Sequence, residues 1–356
     1  MRRRDLLTGA AVLTALSGCA TPAPEGRGMA ETGAAPMSRI AFVSCIDQNK
    51  PAPIWDAILA EPLDLFVFGG DNVYCEMPYS LARLRNAYAR AAASSGMSRL
   101  RATVAHMAVW DDHDYGVNDG GAEFAFKLES KAAFLDFWKA APDDPRRARE
   151  GLYDARMVGP PGKRVQVILL DDRWFRSPLK RTDVRDAPGK ERYLPDPDPS
   201  KTMLGGAQWR WLEDQLRQPA EVRLIVSGVQ VLADGHGWER WGNFPLERQR
   251  LYNMIASTRA EGVVLLSGDR HIGALYRETN GTPYPMVELT SSGMTHPWHE
   301  AAEAGPNRIG ALFTEFHYGV VDIDWAARTV SLSIRDIDRQ ARRSVTVALA
   351  ELRGAA

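Results

Sequence analysis

Short apolar runs recur along the chain, and most of them end in glycine or in a cluster of acidic and aromatic residues. The runs at 39–45 (RIAFVSC), 63–68, 103–109, 164–170 (RVQVILL), 222–227, 262–266 and 286–290 are continuous rather than alternating, which is the pattern of buried strands. Between them the period lengthens. Pro53 opens a helical stretch that reaches 59, with proline in its first turn. Over 79–101, Leu81, Leu84 and Tyr88 share one face and arginines the other, so a single helix is predicted. Further helices are expected up to 134–138, over 208–216, where Trp209, Leu212 and Leu216 align, and over 246–260. The segments 316–323, 329–334 and 344–349 alternate as antiparallel strands do and are expected at sheet edges. The chain thus reads as βα alternation with an antiparallel ending. One long excursion, 177–201, is rich in charge and proline and predicts a rim or lid.

With 356 residues, 45% hydrophobic and 25% charged, there is material for a sizeable core, and one domain over 38–356 is expected. A net charge of −1 lacks the basic excess of a nucleic-acid binder. Residues 1–19 read as an export signal: Arg2, Arg3 and Arg4 precede an apolar run from Leu6 to Leu16 that is too short to span a bilayer. Arg3-Arg4-Asp5-Leu6-Leu7 resembles a twin-arginine signal, which implies the twin-arginine translocation machinery as a partner during export. Leu16-Ser17-Gly18-Cys19 resembles a bacterial lipobox and implies lipidation of Cys19, with the protein on the periplasmic side of a membrane or secreted. Residues 20–37 are small and Gly- and Pro-containing, a flexible tether. Cys45 and Cys75 then remain, and Cys45 is open to three readings: a disulfide with Cys75, a thiolate ligand, or an inert buried thiol.

The chemistry gathers where strands end. Gly69-Gly70 delivers Asp71 and Tyr74, Gly268 delivers Asp269 and His271, and the run 103–109 ends in Trp110-Asp111-Asp112-His113-Asp114. Carboxylates packed this closely repel one another, and a cation removes the repulsion. The donor inventory at strand ends is Cys45, Asp47, Asp71, Tyr74, Asp112, Asn118, Gln230, Asp269 and His271. Oxygen dominates, with one imidazole, one thiol and one phenol, which suits hard cations and trivalent iron better than a structural zinc. Two cations about 3.5–4 Å apart clamp a phosphoryl oxygen and activate water, and His113 is placed to steady the phosphoryl group or protonate the departing oxygen.

GGDNVY, WDDHDYG with the following Asn-Asp, LDDRWFR, MLGGAQWRWLEDQL, SGVQ, FPLERQRL, SGDRH and ELTSSGMTH, in this order, resemble the PhoD-like alkaline phosphatase family of the calcineurin-like metallophosphoesterase superfamily, over roughly 39–298. The resemblance implies an α/β fold, a four-layer α/β/β/α sandwich of two mixed sheets flanked by helices. It also implies hydrolysis of phosphate mono- or diesters and a cluster of Fe(3+) with Ca(2+), other divalent metals being open. By resemblance Asp71 is the bridging carboxylate, and Cys45, Tyr74 and His271 are iron ligands. Asp269 faces the second metal, and Asp112 or Asn118 stands where the superfamily has an asparagine ligand. His113 and Asp112 are then the catalytic candidates, and Arg173, Arg270 and His296 the substrate-binding ones. Gln230 stands where the superfamily has a histidine. The alternative function is a non-catalytic metal- or phosphate-binding lipoprotein on the same fold; paired glycosidase carboxylates leave His271 and Tyr74 without a role.

Overall fold

The computed structural model describes residues 35–75 and 77–354. The export signal and most of the expected tether, including Cys19, lie outside the described residues. Met37, assigned to the tether by composition, is buried, and its carbonyl accepts a hydrogen bond from Trp325 Nε1 at 2.9 Å.

Two six-stranded sheets form the centre. The first holds β1 (Arg39–Val43), β2 (Leu65–Gly69) and β3 (His106–Val109), joined by the chain's closing strands β10 (Tyr318–Asp324), β11 (Thr329–Arg335) and β12 (Ala341–Ala348) in the order β12-β11-β10-β1-β2-β3. The second contains β4 (Asp154–Val158), β5 (Val165–Leu169), β6 (Val222–Ser227), β7 (Val263–Ser267), β8 (Gly273–Glu278) and β9 (Met286–Ser291) in the order β4-β5-β6-β7-β9-β8. Both are mixed. β1, β2 and β3 run parallel, as do β5, β6, β7 and β9, while β4, β8 and the closing strands pair antiparallel. The sheets pack face to face where β10 and β11 meet β9 and β8, and every residue of β2, β5, β6, β7 and β9 is buried. Helices connect the parallel strands: Trp55–Leu59 leads from β1 to β2, Leu81–Ala93 and Ser95–Thr103 from β2 to β3, Gly205–Leu216 from β5 to β6, and Pro245–Ser257 from β6 to β7. The expected sandwich of two mixed sheets flanked by helices is the fold observed.

Three sequence expectations need correction. The helix expected over 79–101 is two helices, because Ser94 is extended (φ −63°, ψ 128°), closes the first and opens the second. The antiparallel ending is not confined to an edge, since β10 lies between β11 and β1 in mid-sheet. Finally, β4 and β8 were not expected. Both are sheet-edge strands (β4 half exposed along its length), whose mixed burial weakens the apolar signal.

Candidate metal centre

All the parallel strands of both sheets finish on one side, the position where open α/β sheets place their ligands. Turn residues follow at once: Cys45 after β1, Asp71 after β2, Asp111 and Asp112 after β3, Gly228 after β6, Asp269 and His271 after β7. The two sheets are stitched together there. Ser44 N, after β1, donates to Ser291 O of β9 at 3.1 Å, while within the first sheet Ile46 N donates to Asp71 O at 2.8 Å. The turns are conformationally costly. Cys45, Asp71, Asp269 and His271 have φ of 60°, 51°, 68° and 55°, left-handed values that cost non-glycine residues about 1–3 kcal/mol each and that gather at functional sites. Space is equally constrained. A Cβ on Gly70 would lie 2.5 Å from Asp111 Cβ, and one on Gly228 would lie 2.4 Å from Asp111 Oδ1, so these two glycines let the backbone close onto the carboxylates.

Donor atoms from these turns fall into three groups, each mutually within 4.8 Å: Cys45, Asp71 and His271; Asp71, Asp112 and His113; and Asp111, Asp112 and Asp269. Asp71 belongs to the first two and Asp112 to the last two, so the groups form one continuous basin. Tyr74 joins the first, its hydroxyl 3.1 Å from Asp71 Oδ2 and 3.1 Å from His271 Nε2, and Cys45 Sγ lies 3.6 Å from the same Asp71 oxygen. Cys45 and Cys75 are not joined in a disulfide, so the thiol at Cys45 remains a donor. His113 donates its backbone N–H to Asp71 Oδ1 at 3.0 Å and sets its ring 4.1 Å from the ring of Tyr74. His296 stands 4.1 Å from His271, ring to ring, and 5.0 Å from Tyr74.

The electrostatics fit a cation. Burial, reinforced by Asp112, pushes Asp71 well above the usual carboxylate range, and burial with Asp112 takes Asp269 up to about 8. Burial also opposes ionisation of Asp112, but His113 and Arg173 outweigh it and hold that group at about 2. Burial and then Arg270 lower His271 to about 3, leaving a neutral imidazole able to donate its lone pair. Asp111 Oδ2 and Asp112 Oδ1 are buried without any hydrogen-bond partner, an arrangement that is costly unless something positive occupies the space between them. The first group, with sulfur, nitrogen and two kinds of oxygen, has the mixed donor set of a transition metal, whereas the carboxylates of the third suit a hard cation.

The expected substrate arginines are engaged elsewhere. Arg173 is fully buried, with Nε on Asp111 Oδ1 at 2.6 Å and Nη1 on Glu239 Oε2 at 2.7 Å; only Nη2 lacks a partner. Arg270 Nη2 donates to Glu303 at 2.6 Å, and its guanidinium lies 4.7 Å from the ring of Trp238 and 5.6 Å from that of Trp298. Asn118 is exposed, in contrast to Asp112 at the centre of two groups. Gln230 is spent on structure, its amide nitrogen bonding Tyr276 and Thr290 and its oxygen lying 3.0 Å from His236 Nε2. Asp47 Oδ1 caps its own turn by accepting from Asn49 N, outside the three groups. Sequence reasoning missed Glu239, which no motif marks, while it read Asp114 as an orienter of neighbouring ligands at least as readily as a ligand. The latter accepts from Asp111 N at 2.7 Å and Asn72 Nδ2 at 2.6 Å and so ties the β2 and β3 turns together.

The sequence pattern that defines the PhoD-like phosphatases matches residues 40–315. Alkaline phosphatase D of Bacillus subtilis (strain 168) is 23% identical over 280 residues, 66% of this chain and 46% of that protein, so the chain spans about half the length of that relative. A solved structure of PhoD superposes with a TM-score of 0.71 at 18% identity, covering 92% of this chain and 73% of the other. Purple acid phosphatase PPD1 from yellow lupin (Lupinus luteus) seeds does so with a TM-score of 0.61 at 12% identity, covering 89% and 55%. With a pattern match over most of its length, the chain belongs to the PhoD-like phosphatase family.

Proposed function

We propose that the protein is a metal-dependent phosphatase that hydrolyses phosphate mono- or diesters, working outside the cytoplasm. The observation that carries this reading is the position of Asp71, whose carboxylate is common to a sulfur- and nitrogen-bearing donor group and to an oxygen-rich one. Cys45, Tyr74, His271 and Asp71 would hold Fe(3+), and Asp71, Asp112 and Asp269, with Asp111 beside them, would hold Ca(2+) or a similar hard cation. When bound, such ions make water a better nucleophile at neutral pH and offset charge growing on the phosphoryl oxygens. The chain's own groups do the rest. Asp71, held by the backbone N–H of His113, stays oriented toward both donor groups. His113, partly exposed beside Tyr74, meets the departing oxygen and gives it a proton. His296, near His271 and Tyr74, contacts the phosphoryl oxygens from the other side.

The likeness to alkaline phosphatase D supports the substrate class. Arg3-Arg4 and the Leu16–Cys19 stretch support twin-arginine export and a lipid anchor at Cys19. Asp71→Asn tests the activity: hydrolysis of p-nitrophenyl phosphate falls at least a thousandfold with an unchanged circular dichroism spectrum, and full activity refutes the mechanism. Metal content without turnover on any ester favours a binding protein. Mass spectrometry of the membrane fraction tests the anchor, since an unmodified Cys19 refutes it.

A further inference from the structure

The excursion at 177–201 does not simply skirt the site. Its backbone is fastened to the loop after β6: Arg192 N and Tyr193 N both donate to Gly237 O, at 3.0 and 2.7 Å, Glu191 accepts from Gly237 N, and Asp196 N donates to Asn243 O at 2.7 Å. From this anchored ribbon Tyr193 extends its hydroxyl to Asp119 Oδ2 at 2.7 Å, and Arg192 Nη1 reaches the same oxygen at 3.2 Å while its guanidinium rests 4.9 Å from the Trp238 ring. Asp119 is therefore held by its carboxylate from one side, and Arg176 Nη2 holds its carbonyl from another. It needs holding, because its φ of 52° is left-handed. Its backbone N–H then donates to Asp112 Oδ2 at 2.7 Å. Asp112 has one oxygen so engaged and the other, Oδ1, buried and unpartnered. The chain of contacts thus determines which oxygen of Asp112 is left for a ligand.

We infer that Tyr193 is a positioning residue for cation binding: through Asp119 it fixes the Asp112 carboxylate with one oxygen turned into the metal basin. The inference rests on the proposed metal-dependent function but assigns a task to a residue that touches neither metal nor substrate. Outer groups that orient ligands typically alter metal affinity by about 10- to 100-fold when removed. Tyr193→Phe deletes a single hydroxyl and keeps the ring. The test is calorimetric titration of the chelator-stripped full chain with Ca²⁺ and with Mn²⁺. The expected result is affinity weakened at least about tenfold, with the melting temperature of the stripped protein unchanged and kcat returning to the wild-type value at saturating metal. Asp119→Asn provides a second route to the same loss without altering the backbone amide. Lys190→Ala, which breaks the exposed pair with Asp183 in the same excursion, leaves affinity unchanged. Tyr193→Phe and Asp119→Asn affinities within twofold of wild type overturn the positioning role alone. A wild-type chain that takes up neither ion overturns the metal reading itself, and the positioning role with it.

Discussion

Arg173 Nε and Asp111 Oδ1 meet at 2.6 Å with neither side chain open to solvent. The guanidinium's other arm holds Glu239, and Arg176 Nε lies 3.0 Å from that same carboxylate, so two arginines and two acids form a buried block directly behind the metal basin. An arginine so engaged is placed to brace the acids on either side of it. Arg173→Met leaves two carboxylates buried without compensation and is expected to destabilise the fold by about 3–5 kcal/mol. Arg173→Lys restores little, since a point charge cannot satisfy a two-acid fork. Urea denaturation checks both; a variant of near-native stability with a raised KM would show instead that the arginine serves substrate.

Removing metal should loosen the site. With Asp71, Asp111, Asp112 and Asp269 packed into overlapping groups, bound cations stabilise the native state by mass action, about 2.7 kcal/mol when free metal is a hundred times its dissociation constant. Chelation should therefore lower the melting temperature, and added Ca²⁺ or Mn²⁺ should restore it. In Asp71→Ala that response should nearly vanish. A melting temperature indifferent to chelator in the wild type would count against any metal in the basin.

Gly228→Ala should harm the site through space alone. Its Cβ would press onto the Asp111 carboxylate at 2.4 Å, and overpacking of this kind costs about 1–3 kcal/mol. Both stability and activity should fall together. Retention of both would mean that the loop after β6 can retreat.

A pH signature comes from Asp172, outside the three donor groups. Burial, only partly offset by the Ser227 hydroxyl 2.6 Å away, raises its pKa to about 6. The raised value means that the folded state prefers the protonated acid. The associated stability is fully present below pH about 4, the unfolded carboxylate's range, and is lost as pH rises through about 6. Asp172→Asn, which imitates the protonated acid, should gain on the wild type across that window by up to about 1.4 kcal/mol per pH unit and then hold a constant lead. Denaturation at pH 4, 5, 6 and 7 measures it, and a lead independent of pH would refute the assignment.

The residues that sequence alone could place were those whose position follows from local grammar. Asp71, Tyr74, Asp269 and His271 each follow a buried strand and a glycine, so the end of the strand fixes where they emerge. Arg173 also follows a buried strand, β5, though without a glycine, and its use is decided by Asp111 and by Glu239, partners 62 and 66 residues distant that no local pattern reveals. Gln230 likewise stands at a strand end and is diverted by Tyr276, Thr290 and His236. The break at Ser94 does leave a mark in the pattern: at about 100° per residue, Met97 and Leu100 would fall on the face of a continuous helix opposite Leu84 and Tyr88, so burying both sets requires a second helix. The part of Tyr193 was hidden for a different reason: irregular backbone has no period from which its orientation can be read.

The placing of β10 beside β1 bears on how the protein is made. Ile40 and Phe42 pair with Val321 and Gly319, so the strand leading into Cys45 keeps one edge of peptide groups bare until some 280 more residues have been translated. Throughout that interval the nascent chain displays a ready template for wrong pairing, and a chaperone that shields extended segments has its natural target there.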